Sequence, residues 1–191
     1  MLIKDVLILA AESLGRADFV PLVEQAYSDA VSSGTAPEGE AATLLRCYHL
    51  VENEVALDHF PLKIQESFLP EDGAVLFTRF SHAPVDVLEV HDRFGGSVPF
   101  SLQVSRLLLP HTAGEVTVLY SYAPTRAAID GETAFSDKVS DRLLSYGVVC
   151  EYLLAGGRYA EAAVWEEKFR AALSAAGLAR RKLCVRGRRW V

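Results

Sequence analysis

The residues with the clearest capacity for chemistry are Glu89 and His91, which stand two apart and so share one face of an extended strand, with Asp86 and Asp92 on the other. A zinc or iron site draws three or four such ligands together, and His49, His59, His82 and His111 have no paired spacing that would complete the set. The pair therefore reads as a solvated strand face, and no metal is expected. Cys150 lies among apolar neighbours in a helical stretch, where a thiol behaves as a small hydrophobe. Gly95-Gly96 and Gly156-Gly157 lack the wider glycine pattern that cradles a phosphate, so they mark a turn and a helix stop. There is no G-x-S-x-G elbow to expose a serine. The acidic pairs Glu71-Asp72, Asp130 with Glu132, and Glu166-Glu167 fall in expected turns or on a polar helix face, where carboxylates are ordinarily solvated. No catalytic residue and no cofactor is expected.

One charged segment stands apart. From Arg180 to Val191 the chain carries six basic residues, Arg180, Arg181, Lys182, Arg186, Arg188 and Arg189, and no acid. The whole chain has a net charge of -6, so the remainder carries -12. Such a body repels nucleic acid while the tail seeks an anionic surface. Leu183, Val185 and Trp190 interleave with the cations, which a purely solvating terminus would not need. These nine residues are the expected partner-binding set, suited to an acidic groove on a protein, where an aromatic and an arginine commonly carry most of the binding energy.

The elements that position these groups follow from periodicity. Ile3, Val6, Leu7, Ala10 and Leu14 mark a first helix stopped by Gly15. Asp18 is placed to cap a second helix, whose stripe is Phe19, Leu22, Val23, Ala26, Tyr27, Ala30 and Val31, ending at Gly34. A third helix begins after Pro37, buries Leu44, Leu45, Tyr48, Val51 and Val55, and stops near His59 because Pro61 follows. From Leu62 to Tyr122 the period changes to two. Strands are expected over 85–91, 98–104 and 116–122, with two shorter ones at 62–68 and 74–80, making one sheet of roughly four or five antiparallel strands. Arg93-Phe94-Gly95-Gly96 supplies a hairpin turn, its glycines providing positive φ, and Pro110 to Gly114 the next turn. The helical period then returns with Phe135, Val139, Leu143, Tyr146 and Leu153, and again with Tyr159, Ala162, Phe169 and Leu173, as an antiparallel hairpin.

The expected fold is α+β: a bundle of three N-terminal helices (1–61) and two C-terminal helices (123–177), interrupted by an antiparallel β lobe (62–122) and followed by the basic tail (178–191). Composition agrees with a globular chain, since half of the 191 residues are hydrophobic and the mean hydropathy is +0.17. Cys47, Cys150 and Cys184 contain no C-x-x-C pair, which predicts reduced thiols in the cytoplasm. The longest stretch without Asp, Glu, Lys or Arg, Phe94 to Ser105, is too short to span a membrane, and the first residues lack the features of a secretory signal.

Leu44-Leu45-Arg46-Cys47-Tyr48-His49-Leu50-Val51-Glu52-Asn53-Glu54-Val55 running into Phe60-Pro61-Leu62, then Val87-Leu88-Glu89-Val90, the turn to Val98-Pro99-Phe100, and Val116 to Pro124, resembles the head-tail connector (adaptor or gatekeeper) proteins of tailed bacteriophages and prophages. Tyr146-Gly147 with Glu151-Tyr152-Leu153-Leu154, followed by Ala162, Trp165 and Phe169, looks like the final helical hairpin of that family. The likeness runs from Ala41 to Ala176. It implies a structural virion protein without enzyme activity or cofactor, whose copies form a homo-oligomeric ring on the portal protein, extend the DNA channel and meet tail components, with DNA as passing cargo and no membrane. It also implies synthesis in the host cytoplasm and incorporation into the virion. Two rivals come from other classes. One is a small-ligand enzyme or sensor with a pocket between lobe and helices, using Glu89 and His91. The other is a nucleic-acid-binding protein acting through the tail, with steep salt dependence.

Overall fold

Among the described residues five helices bury most of the stripes that their periodicity announces, with Leu22, Val31 and Tyr159 standing exposed, and the fold is α+β. The computed structural model describes residues 1–109, 114–135 and 139–177. Helix α1 (Ile3–Ser13) buries Ile3, Val6, Leu7 and Ala10 completely. Helix α2 (Val20–Ser33) follows a short 3-10 turn, Ala17–Phe19, and ends at Gly34 in the left-handed conformation. Helix α3 (Gly39–Glu54) continues into a π turn, Val55–His59, which is closed by Phe60 N–H donating to the Val55 carbonyl at 2.6 Å just before Pro61. Helices α4 (Asp141–Ala155) and α5 (Tyr159–Ala175) form the C-terminal hairpin. The centre of the bundle is α4, packed against α1, α3 and α5. Its buried residues, among them Leu143, Leu144, Val148, Val149 and Leu153, surround its axis, the signature of a helix enclosed by others.

Among its described residues the inserted lobe has six strands in two antiparallel sheets, not one sheet of four or five. The first sheet sets β6 (Val116–Tyr122) between β1 (Leu62–Phe68) and β3 (Pro84–Asp92). The second sets β5 (Arg106–Leu108) between β2 (Ala74–Leu76) and β4 (Ser101–Leu102). Between them lies a core separate from that of the bundle, built on Phe68, Val75, Phe80, Leu107, Val118 and Tyr120. Its aromatic centre is Phe80, whose ring sits 4.4 Å from Phe68 and 4.9 Å from Tyr120. Tyr122 packs against both cores, and so joins lobe to bundle.

Several expectations are corrected. The strand expected over 98–104 shrinks to Ser101–Leu102, and Val104 is fully exposed, because its residues have only the two-residue register with β5. The strand at 74–80 pairs only through Leu76 before turning into a 3-10 segment, Phe77–Arg79. Strand β3 is longer than expected and has register shifts between Pro84 and Asp86 and between Val87 and Glu89, which place Val87 and Val90, three apart, both inward. In the 93–96 turn only Gly95 has positive φ. At Gly96 a Cβ would lie 2.9 Å from the Asp92 carboxylate, which accepts from the Phe94 and Gly96 amides, so a larger residue there would push that side chain aside. Asp18 does not cap α2; its carboxylate is held by Arg16 at 2.8 Å. On α2, Leu22 and Val31 are exposed, since that helix has neighbours along one side only. Phe135 and Val139 are buried but precede α4, which starts at Asp141 with the Ser140 hydroxyl accepting from the Leu143 amide at 3.2 Å. Most of the expected 110–114 turn lies outside the described residues, as do His111 and Cys184.

At Gly147 a Cβ would lie 2.5 Å from Val51 Cγ1 and 3.2 Å from the Phe169 ring. Helix propensity favours alanine there by about 1 kcal/mol, but overpacking of this kind typically costs about 1–3 kcal/mol. Gly147→Ala is therefore expected to destabilise the protein in urea unfolding. Adding Val51→Ala should recover part of the loss, so the double variant is more stable than the sum of the single effects requires.

Candidate functional site

The ends of α3, α4 and α5 enclose a groove of about 540 Å³. Its apolar lining comes from Val51, Leu154, Phe169 and Leu173, and its charged lining from Glu54, Glu151, Glu166 and Arg170. The groove exists because Gly147, also in its lining, lets α3 and α5 approach α4 without a side chain between them. Glu166 is ion-paired with Arg170 one turn along α5. No described residue pairs with Glu54 or Glu151. Burial, and next the neighbouring Glu54 charge, hold the Glu151 carboxyl above the usual carboxylate range. Cys150, also in the groove, donates to the Ala162 carbonyl at 3.6 Å, and burial followed by the charge of Glu151 pushes its thiol up to about 11. A thiol so displaced is protonated at neutral pH and is no nucleophile. The groove is thus equipped to hold something apolar and cationic.

A second polar cluster lies inside the bundle and was missed in the sequence. Glu52 is only 2% exposed; one carboxylate oxygen, Oε1, accepts from the Tyr48 hydroxyl at 2.6 Å and from the Ala134 amide at 3.0 Å. Burial, and then the hydrogen bond to Glu52, raise the Tyr48 phenol above its ordinary range and keep it a donor. His49 Nδ1 faces the other oxygen at 3.9 Å, beyond hydrogen-bond reach. The cluster fixes the 123–135 segment, which is also tied to the N-terminus by Ile3 N–H donating to Gly131 and Thr133 N–H donating to the Met1 carbonyl. Its role is structural. The available signal was Glu52 itself, which falls on the α3 face that carries Tyr48 and Val55.

Glu89 and His91 are brought together, His91 Nε2 and Glu89 Oε2 being 3.1 Å apart on the outer side of β3. No group of three or more potential metal ligands occurs among the described residues. A cavity of about 570 Å³ does lie at the junction of lobe and bundle, but it is lined by Phe60, Pro61, Leu62, Lys63, Tyr122 and Ala134, so the strand pair does not serve it. The expected partner-binding residues, Arg180, Arg181, Lys182, Leu183, Val185, Arg186, Arg188, Arg189 and Trp190, lie outside the described residues. Among the described residues no helix is long and apolar enough to cross a membrane. No family model and no curated protein matches the chain.

The Glu151 environment makes a signed prediction. A carboxyl whose pKa is raised by folding costs stability when ionised, so the cost is absent below the ordinary carboxylate range and sets in as pH rises through that range toward the folded value. Glu151→Gln is expected to raise Tm at about pH 7 and to leave it nearly unchanged at about pH 3, where the native carboxyl is neutral in both states. Calorimetric scans at the two pH values check it; a destabilised variant at neutral pH contradicts the crowding of Glu151 by Glu54.

Proposed function

We propose that this chain is a structural, non-enzymatic subunit of a phage or prophage head-tail connector. Its copies form a ring on the portal, extend the DNA channel and offer a platform to tail components. It is made in the host cytoplasm and ends in the virion. The observation that carries the reading is the outward apolar character of the inserted lobe. Leu76, Val85, Leu88, Phe94, Leu102 and Val104 all stand exposed there, Phe94 at 79% and Val104 completely. The bundle also exposes Leu22, Val31, Leu50, Leu57, Leu154, Tyr159 and Val164, but the lobe, about half its size, exposes nearly as many, and surfaces rich in such side chains are the ones covered on assembly. Ring building needs such surfaces in quantity, because each subunit meets two neighbours through different faces.

Two further features support it. The segments that resemble the connector family lie on α3, β3, β6 and the α4–α5 hairpin, in the expected order of bundle, lobe and hairpin. The charge is also apt: a body of net -12 lets DNA slide past without gripping it, while the basic tail of 180–190 anchors to an acidic, grooved neighbour in the assembly.

The test is co-sedimentation with purified portal rings encoded beside this chain. The full chain should pellet with the portal. Deleting 179–191 should abolish that association while changing the unfolding free energy by no more than about 1 kcal/mol, the usual range for changes away from packed features. A full chain that never associates with portal rings overturns the connector reading. An unfolded truncation shows the tail to be core, and one that still pellets shows it to be dispensable.

A further inference from the structure

The groove at the ends of α3, α4 and α5 and the basic segment of the sequence are chemically reciprocal. The groove offers the apolar surfaces of Val51, Leu154, Phe169 and Leu173 beside Glu54 and Glu151, two carboxylates that no described residue pairs. The segment 180–190 offers six cations interleaved with Leu183, Val185 and Trp190. We propose that this groove is the docking site for the basic segment of a second copy of the same chain, so that each copy donates its segment to one neighbour and accepts one from the other. The choice of a second copy rests on the assembly reading above; the complementarity does not.

The length of the segment permits docking in a neighbour's groove. Residues 178–190 can extend over roughly 45 Å at the limit of about 3.3–3.6 Å per residue, well beyond the length of α5, about 25 Å at 1.5 Å per residue. In a neighbour's groove the cations face Glu54 and Glu151. A groove and a donor segment on one chain make a heterologous contact, which closes into rings when the rotation permits. The position of Glu151 adds to the case: its charge is disfavoured by burial and by Glu54, and an arriving cation supplies the opposite charge that the groove lacks beside these two carboxylates.

The experiment uses the full chain in three forms: wild type, a groove variant (Glu54→Lys with Glu151→Gln) and a segment variant (Arg180→Glu, Arg181→Glu, Lys182→Glu, Arg186→Glu). Sedimentation velocity over a concentration series should show wild type associating, and each variant alone monomeric, with self-association weakened at least about tenfold as expected for reversed charge pairs. An equimolar mixture of the two variants should regain a species of twice the monomer mass and nothing larger, because only one intact groove meets one intact segment. If the groove variant does not melt cooperatively, Leu154→Arg at the partly exposed rim replaces it. A groove variant that associates like wild type, a mixture that stays monomeric, or a wild type that is monomeric at every concentration overturns the proposal. Co-sedimentation with portal rings, scored on the same groove variant, separates this from the connector reading: retained portal binding with unaltered self-association discards the groove alone.

Discussion

The close approach at Gly147 is the constraint on which the rest of the bundle depends. Helix α4 has neighbours on three sides, and only the missing side chain at this position lets Val51 of α3 and the Phe169 ring of α5 reach its backbone together. Glycine inside a helix costs about 1 kcal/mol relative to alanine, so its presence in the second turn of the most enclosed helix is intelligible only through this packing. The same approach shapes the groove, since Gly147, Val51 and Phe169 all contribute to its lining. Core and groove are therefore not independent features, and the position cannot be altered for one without disturbing the other.

A second layer of organisation is the separation of two apolar cores along one chain. The bundle core closes around α4, and the lobe core around β6 and Phe80. They meet at Tyr122, at the end of β6, which packs against both, while on the bundle side of the crossing the Phe60 and Phe135 rings lie 6.2 Å apart. The return path from lobe to bundle, residues 123–135, has little regular structure of its own. It is secured instead by the buried Glu52 carboxylate, by the pairing of Leu2 with Glu132 and by the fully buried Ile129. A buried carboxylate is tolerated here because one of its oxygens receives two hydrogen bonds.

The helices were legible in the sequence because each carries a 3.6-residue apolar stripe, even where Leu22, Val31 and Tyr159 prove exposed, and its stop is a glycine or a proline, as at Gly15, Gly34, Pro61 and Gly156. The lobe was legible as antiparallel strands, yet its division into two sheets was not. A period of two says that a strand has two faces without saying which strand lies beside it, and the shifted register within β3 breaks the alternation that would have placed Leu88 inward. Residues 98–104 alternate well and still form only a two-residue strand, because alternation records a capacity to pair and the partner β5 is short. The groove was illegible for a different reason: Glu54, Glu151 and Glu166 come from three helices, and no spacing in one dimension reveals that they converge. Buried Glu52 was hidden by the general rule that glutamates are solvated.

The irregular course of β3 has a bearing on how copies of the molecule can meet. It lies at the margin of its sheet, begins with a proline that has no amide to donate, and departs twice from even register within nine residues. A flat, regular margin would invite another chain to continue the sheet by backbone hydrogen bonds, the route by which strand-rich surfaces become fibres. This margin denies such a visitor a straight row of donors and acceptors. Any contact made through the exposed Val85 and Leu88 must then be side chain against side chain, a kind of contact that does not propagate from one strand to the next.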